Sequence, residues 1–213
     1  MKPFSFWYTR PDALDWRARL LAPLGALYGA LTAYRVRQPA TFVSPRPVIC
    51  VGNLNAGGTG KTPTTIALVQ MLLSMGHTPH IVSRGYGGSL KGPHFVSAND
   101  DAREVGDEPL LLAAFASTWV AKDRALGIKA ACDTGASHIL MDDGFQNPSV
   151  KKDLSIIVVD AGKGFGNGLC LPAGPLREPV SAGLKRANFI LSIGNSKHQT
   201  EFGATIPLNI PRL

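Results

Sequence analysis

The residues with the clearest chemical meaning are Gly57-Gly58-Thr59-Gly60-Lys61-Thr62, which follow Gly52-Asn53-Leu54-Asn55-Ala56. Successive glycines let backbone N–H groups curl around phosphate oxygens, and the N-terminus of a following helix adds partial positive charge. A lysine placed there reaches β- and γ-phosphates, and the hydroxyl beside it can ligate Mg²⁺. On this reading Asn55, Ala56, Gly57, Gly58, Thr59, Gly60, Lys61 and Thr62 line a nucleotide, and Thr62 also holds the metal. The general pattern G-x-x-x-x-G-K-[ST] asks for glycine where this chain has Asn55, a residue that also tolerates the left-handed backbone conformation. Gly57 and Gly58 are available to compensate. A glycine turn that binds nothing is the alternative, but turn chemistry alone rarely produces GGTGKT between an apolar strand and a helix.

A triphosphate site needs a second element, an apolar strand ending in an aspartate that holds the metal directly or through water. His138-Ile139-Leu140-Met141-Asp142-Asp143-Gly144-Phe145-Gln146 has that form about eighty residues beyond the loop. An aspartate that merely caps a turn would look the same in isolation. The N-K-x-D element of guanine-specific sites is missing: Asn195-Ser196-Lys197-His198 follows a late apolar run but lacks the aspartate. ATP is therefore favoured over GTP. Ala56 stands where partitioning ATPases carry a signature lysine, which disfavours that class.

Other segments suit an acceptor. Ser83-Arg84-Gly85-Tyr86-Gly87-Gly88 ends a strand in a glycine loop, and Gly106-Asp107-Glu108-Pro109 sets two carboxylates ahead of the helical run Leu110 to Phe115. These carboxylates could simply cap the helix and complement its dipole. Beside a triphosphate they could instead supply a base for an acceptor hydroxyl and a metal contact. The stretch from Gly164 to Pro179, rich in proline and glycine, fixes an irregular path that ends in an Arg177–Glu178 pair, and on composition alone a pure scaffold role is the alternative.

Short apolar runs must position these groups. Strands are expected near 47–52, 79–83, 118–121, 138–142, 154–160 and 188–193, with helical periodicity from Thr64 to Met75. The fold class implied is α/β, a mostly parallel P-loop sheet with helices on both faces. Apolar residues make up 45% of the 213 and charged residues 17%, which excludes a disordered chain and a charge-laced coiled coil. Cys50, Cys132 and Cys170 are odd in number and widely spaced, so neither a disulfide framework nor a zinc site is indicated, and a reducing compartment is expected.

The net charge of +7 raises the thought of nucleic acid, but more than half of the excess lies in residues 1–40, where six Lys/Arg face two Asp. There the uncharged Leu20 to Tyr34 run places Leu20, Leu24, Leu27, Leu31 and Tyr34 at helical spacing, opposite Ala22, Gly25, Ala26, Gly29 and Ala33. It is too short to span a bilayer. An interfacial helix with flanking arginines on anionic headgroups and a helix packed on the protein's own core both fit. A cleaved signal peptide conflicts with the nucleotide loop that follows. The expected organisation is a docking segment at 1–40 and a P-loop core at 41–213, with no nucleic-acid partner.

Taken together, VGNLNAGGTGKTP, SRGYGG, VGDEPLLLA, MDDGFQN and GNGLCLPAGPLREP resemble the tetraacyldisaccharide 4'-kinases of lipid A biosynthesis in Gram-negative bacteria, over about residues 40 to 190. The resemblance implies transfer of the ATP γ-phosphate, with Mg²⁺, to the 4'-hydroxyl of a tetraacylated glucosamine disaccharide 1-phosphate on the cytoplasmic face of the inner membrane. It implies Asp107 as the base and Glu108 as a metal-linked neighbour. Asp142, Asp143 and Gln146 fall around Mg²⁺ and the nucleotide, with Lys61, Arg124 and Arg177 near transferred or substrate phosphate. Members of the family are longer, with a further α/β portion whose histidine assists the base, and His198 is not assigned that role. A P-loop kinase for another amphiphilic or sugar acceptor, or a membrane-associated ATP-binding switch, are the competing readings of the residues alone.

Overall fold

In this computed structural model residues 4–194 are described, and the Asn195–His198 segment lies outside them. In chain order the elements are a 3₁₀ turn at Ser5–Tyr8, then α1 (Trp16–Val36), β1 (Val48–Gly52), α2 (Lys61–Ser74), β2 (Pro79–Ser83), β3 (His94–Phe95), α3 (Ala102–Val105) and α4 (Asp107–Ala113). They continue with β4 (Thr118–Val120), α5 (Arg124–Asp133), β5 (His138–Asp142), β6 (Leu154–Asp160), α6 (Val180–Leu184) and β7 (Phe189–Ile193). They fall into two compact units, one of residues 38–52 and 61–155, the other of residues 4–37, 53–60 and 156–194.

The first unit carries strands in the order β3-β4-β2-β5-β1. The β4–β2, β2–β5 and β5–β1 pairs are parallel, and only the two-residue edge strand β3 runs antiparallel. Strands buried on both faces read in sequence as unbroken apolar runs, and VICVG, PHIVS and HILMD are such runs. Helix α2 packs Val69 with Ile81, Leu112 and Leu140, while Val105 of α3 joins Val96 and Val120. Parallel strands place their carboxyl ends on one edge, where a doubly wound sheet collects its functional loops. At that edge β2 leads into Arg84-Gly85, β5 ends at Asp142 beside Val51 of β1, and β4 is followed by Arg124 at the start of α5.

Helix boundaries differ from the expected ones for local reasons. Helix α2 begins at Lys61 rather than Thr64, with Pro63 in its first turn, where the missing N–H costs no hydrogen bond. Helix α4 begins at Asp107, because Gly106 (φ 93°) holds a backbone conformation that interrupts the helical path after α3. Asp107 is thus the first helical residue and not the cap, and Gly106 offers no capping side chain.

In the second unit β6 and β7 pair in parallel, Ile156 to Asp160 against Phe189 to Ile193. Helix α1 starts from an Asp15 cap whose carboxylate accepts the Arg17 N–H at 2.8 Å. Its inward residues are small: Ala18, Gly25, Gly29, Thr32 and Val36. A β-carbon on Gly25 would lie 2.7 Å from the Cys170 carbonyl oxygen, and one on Gly29 2.9 Å from Cys170 Sγ, so the helix backbone rests directly on the 170–179 segment. The opposite side displays Trp16, Leu20, Leu24, Leu27, Leu31 and Tyr34, each more than half exposed. No helix among the described residues is long and apolar enough to cross a membrane.

The end of β1 is closed by Phe145, fully buried, whose Cβ lies 2.4 Å from where a β-carbon on Gly52 would stand. Gly52→Ala is therefore expected to destabilise the protein by about 1–3 kcal/mol through overpacking. Urea denaturation should show a lower midpoint, and an unchanged midpoint would contradict this packing.

Candidate functional site

Asp142 closes β5 with 1% of its surface exposed. Its Oδ1 accepts from Thr65 Oγ1 at 3.4 Å, a long contact reached from one turn inside α2. Burial pushes this carboxyl up to about 6, helped by the negative charges of Asp143 and Glu108 and opposed by Lys61 and Arg124. Asp143 continues the β1 pairing by donating its N–H to the Val51 carbonyl at 3.0 Å, then turns the chain in the left-handed region at φ 47°. It is the one non-glycine residue in that region among the described residues. Such a conformation costs free energy and tends to mark sites where a side chain must be aimed. Asp143 Oδ1 lies 3.7 Å from Lys61 Nζ.

Arg124 supports the same corner from below. Helix α5 begins at this residue after an Asp123 cap, and the side chain is buried, with Nη2 donating to the Asp142 carbonyl at 2.8 Å. Desolvation lowers the guanidinium to about 10 even beside Asp142 and Asp143. Its Nη1 is buried and meets no acceptor among the described residues. Asp107 and Glu108 are exposed at the start of α4. Their position is set by the Ser83–Gly88 loop, since a β-carbon on Gly106 would sit 2.7 Å from the Tyr86 carbonyl oxygen and one on Gly88 2.4 Å from that of Glu104. Tyr86 itself is 88% exposed. The first unit thus brings together Lys61, Asp142, Asp143, Arg124 and, through its charge, Glu108. Thr62 and Gln146 are half-buried on the same unit.

The glycine loop belongs to the second unit and runs covalently into Lys61. Asn53, fully buried, spans its interior, donating from Nδ2 to the Gly57 carbonyl at 3.0 Å and to Thr59 Oγ1 at 3.1 Å. Gly57, at φ 126°, and Gly58 are exposed, and a β-carbon on either would meet no atom within 4 Å, so the outer face of the loop is open space. Asn55 does not use the left-handed conformation expected of it. Its buried Nδ2 donates to the Gly164 carbonyl at 3.0 Å. Ala56 donates its N–H to Pro175, and the Arg177 N–H donates to Leu54, each at 2.7 Å. Arg177 is half-buried; Glu178 is fully buried and ion-paired with Arg186.

Sequence reasoning did not identify Asn53, Thr65 or the bracing of the loop by residues 164–177. The two side chains carry no periodic signal, and their partners lie in other segments. Cys50, in β1 beneath this corner, is a free thiol pushed up to about 12 by burial, which makes it inert packing.

A glycine loop entering a helix that opens Lys-Thr, in a chain whose neighbouring parallel strand ends in an aspartate pair beside that lysine, defines a P-loop protein. The profile of the tetraacyldisaccharide-1-P 4'-kinases (LpxK) matches residues 17–211, and the chain belongs to this family. It is 62% identical over 205 residues to the tetraacyldisaccharide 4'-kinase of Dinoroseobacter shibae, covering 96% of this chain and 61% of the relative. It is 54% identical over 206 residues to that of a Jannaschia species, covering 96% and 62%. The crystal structure of LpxK from Aquifex aeolicus in complex with ATP matches with a TM-score of 0.72 at 32% identity, covering 82% of this chain and 58% of that one. The chain spans about three fifths of the length of these relatives.

The raised Asp142 carboxyl has a consequence for stability. Its ordinary value is about 3.9, so between pH ~4 and about 6 the folded protein holds more protons than the unfolded chain, and this contribution to stability is lost as pH rises through the folded value. Asp142→Asn mimics the protonated form. Relative to wild type it should gain stability at pH 7.5 and little at pH 4, measured by urea denaturation without added metal. A gap that stays constant with pH would contradict the burial of an ionised Asp142.

Proposed function

We propose that this chain serves ATP-dependent phosphorylation of the 4'-hydroxyl of a tetraacylated glucosamine disaccharide 1-phosphate. Membership of the kinase family sets the class, and the observation that carries the reading is the Lys61–Asp143 contact beside a buried Asp142. The groups implied by the family fit these residues. Asp143 and Glu108 raise the proton affinity of the buried Asp142, a build-up of negative charge that a divalent cation would offset, although among the described residues no three His, Cys, Asp or Glu side chains already form a metal-holding group. An open glycine face suits phosphate oxygens.

Thr62, Glu108, Asp142 and Asp143 would hold Mg²⁺, whose charge would offset that of the phosphates during transfer. Asn55 to Thr62 and Gln146 would receive ATP, with Lys61 on the outer phosphates. Asp107, exposed at the head of α4, takes the proton of the acceptor hydroxyl. The hydroxyl oxygen forms the new bond to the γ-phosphorus, and the bond to the bridging oxygen breaks to release ADP. Arg124 and Arg177 add positive charge near the phosphates, Arg124 while fixing the Asp142 backbone.

The acceptor is a lipid, and residues 1–40 suit a docking segment for the P-loop core at 41–213. The exposed large residues of α1 would enter the headgroup boundary of the anionic cytoplasmic face of the inner membrane, with nearby arginines on lipid phosphates.

Lys61→Ala should lower kcat/KM by about 100- to 1,000-fold, and Asp107→Ala by about 100- to 10,000-fold, with unchanged circular dichroism. Transfer of labelled phosphate from ATP to the lipid disaccharide measures both, and full turnover by either variant removes that residue from its role. The double variant Leu27→Glu/Leu31→Glu should lose recovery with anionic liposomes in flotation while keeping its thermal midpoint. Equal recovery would remove α1 from membrane contact.

A further inference from the structure

Asn55 stands where the general loop pattern has glycine, and what its side chain does there is visible. It leaves the phosphate-facing side of the loop and donates to the Gly164 carbonyl at 3.0 Å from a buried position. Its backbone forms an antiparallel bridge with Leu176. On either side the chain repeats the connection: Ala56 N–H to Pro175 and Arg177 N–H to Leu54, both 2.7 Å. Leu176 is fully buried and itself bridges Cys170, so the bracing segment is fixed rather than draped.

The inner half of the glycine loop is therefore held on one flank by a strap more than a hundred residues away in sequence, whereas Gly57 and Gly58 stay open. A loop that binds phosphate through backbone N–H groups works best when those groups are aimed before the ligand arrives, because ordering a flexible loop on binding subtracts from affinity. We infer that Asn55 is a positioning residue, which clamps the loop to the 164–177 strap and so presets the N–H groups that receive the triphosphate.

This inference rests on the nucleotide-binding reading and makes an unusual demand: restoring the general pattern should harm the protein. Asn55→Gly supplies the glycine that the pattern asks for but removes the side-chain donor. If position 55 needs only a permissive backbone, Asn55→Gly binds ATP as well as wild type or better. If it clamps, Asn55→Gly and Asn55→Ala both weaken ATP binding roughly tenfold, because about one residue's worth of backbone freedom must then be lost on binding. The KM for the acceptor should change little, and the thermal midpoint should fall by about 2–4 °C, the cost of the lost buried hydrogen bond.

Titration of a fluorescent ATP analogue into wild type and both variants reads the affinity. Hydrogen exchange at the Ala56 and Arg177 amides in nucleotide-free wild type reads the clamp itself. Slow exchange in wild type that accelerates in Asn55→Gly supports the proposal, and so does weakened binding by both variants. Wild-type affinity in Asn55→Gly, or free-peptide exchange rates in wild type, overturns it. A wild-type protein that binds no ATP would sink the nucleotide reading instead, and the exchange measurement would still decide whether the clamp exists.

Discussion

A carboxylate kept out of water beside two others of the same sign is the constraint around which one half of this protein is organised. Left alone, Asp142 would take up a proton, and its raised affinity for one measures how far the site leans that way. Every neighbouring choice acts on that tension. Thr65 offers a distant donor, Lys61 brings charge to Asp143, and Arg124 is buried against the Asp142 carbonyl at a desolvation cost of its own. A purely structural core would replace such groups with apolar ones at little loss. A cation bound as proposed above would offset that charge.

The sequence and structure agree where burial alone writes the pattern. Parallel strands with both faces covered are continuous apolar runs, so VICVG, PHIVS, HILMD and LSIIVVD could be placed to within a residue. The edge strand His94–Phe95 was not legible, because two residues show no alternation and their pairing with Trp119 and Val120 is settled by tertiary contact. That Lys61, Asp142 and Asp143 would stand together was legible, because a glycine loop before Lys61 and an apolar strand before Asp142 are fixed patterns of neighbours in sequence. Asn53, Thr65 and the true task of Asn55 were not, since each is defined by a partner several to over a hundred residues away.

Residues 164–179 read on composition as scaffold or as active-site loop, and the structure shows what the segment touches. One side of this strap hydrogen-bonds the start of the glycine loop; Cys170, Ala173 and Pro179 receive the glycine face of α1. Trp7 adds a bond to the Pro172 carbonyl at 3.0 Å, and Asn167 ties the strap to Phe6. The irregular backbone of this proline- and glycine-rich strap leaves carbonyl and N–H groups outside any regular ladder, where they bond the glycine loop and the N-terminal segment instead.

The same strap explains the division of α1 into small and large faces. Where the helix backbone approaches the strap to within van der Waals contact, at Gly25 and Gly29, no side chain fits, and the residues around them on that face are small or β-branched while the bulky ones lie on the opposite side. On that side Arg17 and Arg35, eighteen residues or five turns apart, share one line along the helix, and Arg19 and Arg37 share another, with the apolar stripe between them. Nucleic acid would engage the arginines but leave Trp16, Leu20, Leu27 and Leu31 against water. In the docking proposed above, a surface that is anionic at its boundary and apolar a few ångströms deeper would satisfy both sets of side chains, and the positive charge of this segment would serve the same face as its exposed leucines.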